Sequence, residues 1–298
     1  MISLLIVNYN TKDYLIKCLE SIYKSGTSLT HFQIIIVDNA SKDSSVEKIA
    51  KEYSLEIENK QIEIVRNDRN LGFSKAVNIG LKKCRGNYIC ILNPDIYIEK
   101  ECLNILRKYM DKNPEVGCIT PKIVNSNGSL QISCKRSLPT IQNSIYKIFA
   151  IDRFFPNNRN ISSYNLLYLK EDEVNQVEVI SGAFMFLRLE TVKAVGFFDE
   201  IFYLYGEDID YCHRINKIGF KIIYYPLAKV IHYKGKSAKS HPFRVVSEFH
   251  NSMIKYYAKY QDDYTGWKFF KVFIVISVII KKYLAYFLLL IKKMFRQI

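Results

Sequence analysis

The sequence predicts an α/β fold: a mixed sheet, parallel in its first half, flanked by helices. Two patterns predict it. Short apolar runs at residues 4–7, 32–37, 62–65 and 88–92 alternate with stretches of helical periodicity, as strands joined by right-handed helical crossovers do. The first, second and fourth runs also end in polar clusters, Asn8-Tyr9-Asn10, Asp38-Asn39-Ala40-Ser41 and Asn93-Pro94-Asp95. In such a sheet these clusters share the carboxyl edge of the strands, where ligands bind.

Taken in order, residues 13–25 place Leu15, Leu19 and Ile22 on one helical face after the first strand. Asp43 or Ser44 then caps a helix to about residue 53, and residues 71–83 form a third. The fourth strand stops at Pro94 and delivers Asp95 to the sheet edge, placed for a metal, a phosphate or an ordinary turn. Residues 101–111 read as a helix, 116–120 as a strand and 123–132 as a hairpin about Asn127-Gly128. From 139 to about 175 the pattern weakens, and that stretch reads as a variable, partly ordered wall over the site.

A strand at 177–180 leads into Ser181-Gly182-Ala183, whose small residues let a backbone approach a ligand or merely pack tightly, and then into a strand at 184–187. A helix follows to Lys217, with Glu207, Asp208 and Asp210 in its first turn. Acids there stabilise a helix N-terminus. The preceding Phe202, Tyr203 and Tyr205 would also desolvate a carboxylate and raise its proton affinity, as a general base requires. Residues 220–224 and 228–231 read as strands closing on His232, a residue more often structural than a ligand when taken alone.

Composition narrows the function. With 298 residues, 49% of them hydrophobic, the chain can bury one large core or two modest ones. A formal net charge of +14 points to a nucleic acid, an anionic membrane or a phosphate-bearing ligand. Seven cysteines without a CxxC pair, and a start with no signal-peptide pattern, read as reduced structural thiols in a cytosolic compartment. A dinucleotide enzyme would carry its glycine fingerprint after the first strand, where this chain has Asn8-Tyr9-Asn10-Thr11. Sugar-nucleotide pyrophosphorylases want a glycine-rich basic loop there, and that is missing too. Asp38 suits another task, since a strand-end carboxylate can accept the ring N–H of uracil or thymine, or else organise a turn or cap.

The ordered set Val7 to Asn10, Val37 to Ser41, Asn70-Leu71-Gly72-Phe73 with Asn78 and Gly80, Leu92 to Asp95, Ser181 to Ala183, Phe197 to Glu200, Glu207-Asp208 with Arg214, and His232 resembles the inverting family 2 glycosyltransferases, in particular their rhamnosyltransferase-like group. The resemblance covers residues 1 to about 240 and implies a GT-A fold binding a nucleoside diphosphate sugar, dTDP- or UDP-linked. It implies contacts to that donor from Asn8, Asp38, Asn70, Gly72, Asn93, Asp95 and Gly182, with Asp38 near the base. Asp95 and His232 would hold Mg²⁺ or Mn²⁺, and Asp208 would be the catalytic base. Glu207 and Asp210 would support that base or touch the acceptor, and Arg214 would hold one of these acids or steady the fold. One departure stands out: the family's metal motif often has two acids, and the first position here is Asn93.

Residues 243–260 read as an aromatic-rich helix, and 267–298 contains no acid. Lys268, Lys271, Lys281, Lys282, Lys292, Lys293 and Arg296 interrupt its apolar runs and fall within an arc of about 140° at about 100° per residue. A bilayer span needs about 20 mostly apolar residues, and central lysines cost about 2.5 to 3.5 kcal/mol each. The segment is therefore expected to lie in the headgroup region with its lysines toward anionic lipid, or else to pack on its own domain or a partner subunit. So many apolar residues beside the charge argue against nucleic acid as a partner.

The expected organisation is a GT-A domain over 1–240, with a nucleotide-sugar half to about 120 and an acceptor half from about 121, then a helical membrane-associating segment over 241–298. The expected protein is a peripheral enzyme on the cytoplasmic side of the membrane that moves a hexose or deoxyhexose to a lipid-linked saccharide with inversion. The resemblance points to rhamnose from dTDP-rhamnose as one such donor, and a galactosyl, glucosyl or N-acetylhexosaminyl donor stays open. The alternative is a catalytically silent GT-A module that binds saccharide or a partner enzyme.

Overall fold

The computed structural model describes residues 1–26, 32–233, 242–264 and 267–295. Strands and helices alternate from the start: β1 (Ile2–Asn8), α1 (Lys12–Lys24), β2 (Phe32–Asp38), α2 (Ser45–Glu52), α3 (Ser54–Glu58), β3 (Ile62–Arg66), α4 (Phe73–Leu81) and β4 (Tyr88–Leu92). β1 and β2 are buried at every residue, because helices cover both faces of a parallel sheet. Then come β5 (Ile96–Ile98), α5 (Cys102–Lys112), β6 (Val116–Asn125), β7 (Lys135–Arg136), α6 (Ile141–Ile148), β8 (Asn175–Val177), β9 (Val179–Ile180) and β10 (Phe184–Arg188). The chain closes with α7 (Leu189–Val195), α8 (Glu207–Lys217), β11 (Lys221–His232), α9 (Pro242–Lys259) and α10 (Trp267–Phe295).

One nine-stranded sheet runs in the order β3-β2-β1-β4-β10-β6-β11-β5, with β8 on β11. Its first four strands are parallel, as expected. β10 then enters antiparallel between β4 and β6, and β5 pairs antiparallel with β11. β7 and β9 form a small second sheet beside it.

Three sequence readings change. The hairpin expected at 123–132 is a tight turn instead: β6 runs on to Asn125, the return is a single bridge between Val124 and Leu130, and the chain coils into a 3-10 turn at Ile132–Cys134. The two strands expected at 220–224 and 228–231 are one, β11, with a register shift between Tyr225 and Lys229 that absorbs Pro226. The stretch from 139 does wall the site, through Pro139, Ser144, Lys147 and Tyr164, but it is more ordered than expected, since α6 begins in a capping box between Thr140 and Asn143, and Asp152, Ser162 and Leu166 are buried.

The basic stripe of α10 also faces differently from the expectation. Ile274 and Val278 pack against Tyr257, and Lys282 donates to Asn251 on α9. The lysines of the helix centre thus share the face turned to the protein body, while Phe273, Ile276, Ile280, Leu284, Phe287 and Leu288 stand exposed. Residues Lys271–Phe295 are long and apolar enough to cross a membrane by length and composition, and most of their surface is uncovered. Arg296 and the side chain of Lys268, counted in the stripe, lie outside the described residues.

Candidate active site

The reversal of strand direction at β10 builds the site. Because β10 runs antiparallel to β4, Phe184 lies opposite Leu92, and the residues before β10 meet those after β4. Asn93 N–H donates to the Ala183 carbonyl at 3.0 Å. On the other flank His232 pairs with Ile96, so the end of β11 abuts the residue that β4 projects from the sheet. Tyr233 N–H donates to the Asp95 carbonyl at 2.9 Å. Asn93, Asp95, Gly182, Glu207, Asp208 and His232 consequently line one cavity of about 660 Å³, together with Asn39, Asn70, Gly72, Tyr203 and Arg244.

His232 Nε2 lies 3.1 Å from Asp95 Oδ1, and its Nδ1 lies 2.7 Å from Gln131 Oε1. An amide oxygen only accepts, so Nδ1 carries the hydrogen, and in the neutral ring Nε2 turns its lone pair on a carboxylate oxygen. Two acceptors at that separation need a proton or a cation between them. Adjacent ligands of an octahedral ion at about 2.1 Å stand about 3.0 Å apart, so these two donors fit two neighbouring positions on Mg²⁺ or Mn²⁺, with the imidazole fixed from behind by Gln131. Among the described residues no cluster of three or more His, Cys, Asp and Glu side chains is placed to hold a metal. The remaining ligands of such an ion would come from a substrate and water.

α8 brings two adjacent acids to the cavity from its first turn, and the environment divides them. Asp208 Oδ2 accepts from Arg136 at 2.6 Å and from the Gly182 N–H at 3.1 Å, and Oδ1 accepts from the Ile209 N–H at 2.8 Å. Glu207 has less help: its carboxyl receives its own backbone N–H, but Oε2 is buried without a hydrogen-bond partner. Burial first, and the charge of Asp208 second, push its carboxyl up to about 8. Glu207 therefore keeps its proton near neutrality while Asp208 presents acceptor oxygens, a division that equips adjacent carboxyls for different roles. Gly182 permits the contact, since a Cβ there would sit 3.3 Å from the Asp208 Cβ.

Arg136 escapes sequence reading. It lies buried on β7, donating also to the Ile180 carbonyl at 3.0 Å. Burial disfavours its charge, but Asp208 opposite more than restores it, and the guanidinium is held above its ordinary range. Its place depends on the β7–β9 ladder, in which Arg136 pairs with Val179, and no local motif announces that pairing. Gln131 and Arg244 are likewise found only in the fold, which also brings Asn39 and Tyr203 to the cavity. Asn70 is placed by Tyr203, whose hydroxyl donates to Asn70 Oδ1 at 2.9 Å. At Gly72, with φ +85°, a Cβ would lie 2.6 Å from the Tyr203 carbonyl, so this crossing of two loops requires glycine.

Four of the expected site residues face elsewhere. Asn8 and Asp38 sit behind the cavity wall: Asn8 Nδ2 donates to Asp38 Oδ1 at 2.8 Å and to Ser45 Oγ at 2.7 Å, and Asp38 Oδ2 accepts from the Ser41 N–H at 2.9 Å. Asp38 is only 4% exposed, and the turn role weighed for it describes this arrangement; its neighbour Asn39 faces the cavity instead. Asp210 and Arg214 pair with each other at 3.0 Å outside the cavity, and Asp210 also receives Lys259 and the Tyr260 hydroxyl from the end of α9. Of Asp38, Asp95, Asp208 and His232, expected around one pocket, the last three meet there.

A sheet that turns from parallel to mixed at a carboxylate-lined edge is the GT-A architecture, and the chain belongs to glycosyl transferase family 2, whose model matches residues 3–174. It is 25% identical over 245 residues to the N-acetylglucosaminyl-diphospho-decaprenol L-rhamnosyltransferase of Mycobacterium tuberculosis (strain CDC 1551 / Oshkosh), covering 78% of this chain and 76% of that one. Over 235 residues it is 26% identical to the rhamnosyltransferase WbbL of Escherichia coli (strain K12), covering 78% and 83%. The crystal structure of GalNAc-T7 with UDP, GalNAc and Mn²⁺ superposes with a TM-score of 0.59 at 18% identity, over 78% of this chain and 43% of that longer one.

Proposed function

We propose that this glycosyltransferase moves a deoxyhexose, rhamnose from dTDP-rhamnose, to a lipid-linked saccharide with inversion, at the cytoplasmic side of a membrane where it is peripherally bound. The observation that carries the reading is the meeting of the Asp95–His232 pair and the Glu207–Asp208 pair in one cavity. The donor and acceptor class are supported by the relatives, two of which are named rhamnosyltransferases and one a decaprenol-diphosphate enzyme.

In this reading the donor's nucleoside lies along Asn39, Asn70 and Tyr203, and its diphosphate meets Asp95 and His232. A divalent cation bound by those two side chains would offset the charge that develops on the diphosphate leaving group. Asp208, oriented by Arg136 and the Gly182 N–H, accepts the proton of an acceptor hydroxyl as its oxygen attacks the anomeric carbon from the face opposite the diphosphate. Protonated Glu207 adds no second negative charge beside that base. Residues 1–240 act as the catalytic domain and 241–298 as the membrane-associating segment.

Transfer from a panel of nucleotide sugars tests this directly. Asp208→Asn is expected to lower turnover by about 10² to 10⁴ while leaving donor affinity nearly unchanged. Equal background in variant and wild type would replace the enzyme by the silent binding module. For the cation, Mn²⁺ is expected to raise the melting temperature of the donor-bound protein, and His232→Ala to abolish that increment. A donor-dependent shift indifferent to Mn²⁺ removes the metal from the reading.

A further inference from the structure

The cavity does not end at the acids. It continues between α9 and α10, where Val245, Met253, Ile274 and Val278 form its wall, a surface of no use to a sugar's hydroxyls. Lys147 on α6 lines the same cavity. Arg153 and Lys281 stand close by: burial, then the charges of Lys147 and Arg153, lower the Lys281 amine. Val278 and Lys281 lie one turn apart on the α10 face that turns inward. The acid that faces Lys281 among them is Asp152, whose buried carboxylate accepts from Lys147 Nζ at 3.2 Å. One carboxylate thus stands among these three cations beside an apolar wall, at the flank where α10 bares its apolar face.

Resting on the lipid-linked acceptor proposed above, we propose that this end of the cavity is a second anion subsite, separate from the donor's. It holds the diphosphate of the acceptor on Lys147 and Lys281, with the first lipid segment on Val245, Met253, Ile274 and Val278 and the attached saccharide directed to Asp208. Charge and shape select the occupant. A free anion would leave the apolar wall wet, a neutral glycan would leave the cations unmatched, and a lipid diphosphate satisfies both.

The test measures binding by the full chain in detergent micelles, without donor or turnover, using farnesyl diphosphate as probe and inorganic diphosphate for comparison. The wild type is expected to bind farnesyl diphosphate at least tenfold more tightly than inorganic diphosphate. Lys147→Ala with Lys281→Ala is expected to lose tenfold or more of that affinity while keeping donor affinity, and the corresponding double Arg variant, which leaves a cation on Asp152, is expected to retain both binding and the wild-type melting curve. Equal farnesyl diphosphate affinity in wild type and Ala variant overturns the subsite. Equal wild-type affinity for the two probes overturns the lipid part, and so does a variant defect confined to partition onto anionic vesicles. Because no turnover is read, a chain that transfers no sugar leaves this result standing, and failure here leaves the transferase reading intact.

Discussion

At the scale of single residues the Glu207–Asp208 pair makes its own prediction. The unfolded chain gives up the Glu207 proton near 4.5, and the folded chain holds it to about 8. Between those values the native state binds more protons, so this group's contribution to stability is full below 4.5, declines as pH rises, and is exhausted above about 8. Glu207→Gln cannot ionise and is expected to flatten that decline, gaining a few kcal/mol relative to wild type at pH 8. Urea midpoints at pH 5 and pH 8 measure it, and parallel declines in both proteins would show that the proton does not reside on Glu207. The candidacy of these acids was legible in the sequence, since aromatic residues immediately before a run of carboxylates announce desolvation. Their division of labour was not, because it rests on the burial of Glu207 in the folded chain and on Arg136, which reaches Asp208 from 72 residues away. The same limit applies to Asp38. A strand-end carboxylate looks alike in sequence whether it faces a ligand or, as here, the Ser41 N–H.

At the scale of elements, the parallel half of the sheet could be read from alternating apolar runs and helical periodicity, which are local signals. The insertion of β10 and the three-residue β5 could not, because an antiparallel partner chosen across 92 to 100 residues leaves no periodic trace, and a strand as short as Ile96–Ile98 has too few residues to show alternation. Asp210 illustrates the cost of reading an acid by its neighbours in sequence: it sits one turn from the cavity-facing pair yet serves as the socket into which α9 docks. Fully buried, it takes Arg214 from its own helix and Lys259 and Tyr260 from the end of α9. Removing one member of a buried ion network costs about 3 to 5 kcal/mol. Asp210→Ala is therefore expected to lower the melting temperature markedly and to open α9 to limited proteolysis, although its side chain touches no part of the cavity. An unchanged melting curve would show that Asp199 holds Lys259 without Asp210 and that Asp210 is no socket for α9.

For the molecule as a whole, the membrane attachment proposed above rests on one of two forces, and the orientation of α10 decides which to expect. Had the lysines faced outward, attachment would rest on attraction to anionic headgroups, which salt screens beyond about 8 Å at physiological ionic strength. In the structure the open face carries Phe273, Ile280, Leu284 and Phe287, while Lys271, Lys292 and Lys293 remain exposed toward its ends. Burying one such side chain is worth about 1.5 to 3 kcal/mol, so a handful outweighs the few exposed lysines, and the chain is expected to lie with its apolar face in the interface and its ends pinned by charge. Removing residues 267–298 is then expected to free the protein from vesicles containing anionic lipid, whereas raising salt to about 0.5 M weakens attachment only in part. Because truncation also strips Ile274 and Val278 from Tyr257, a second variant keeps that seam: Ile280→Asp with Phe287→Asp alters the open face alone and is expected to detach the chain while donor binding persists. Sedimentation with vesicles across a salt series separates the two forces. Complete release of the wild type by salt, or retention of the double variant, would return the attachment to electrostatics and leave the apolar face of α10 for a protein partner.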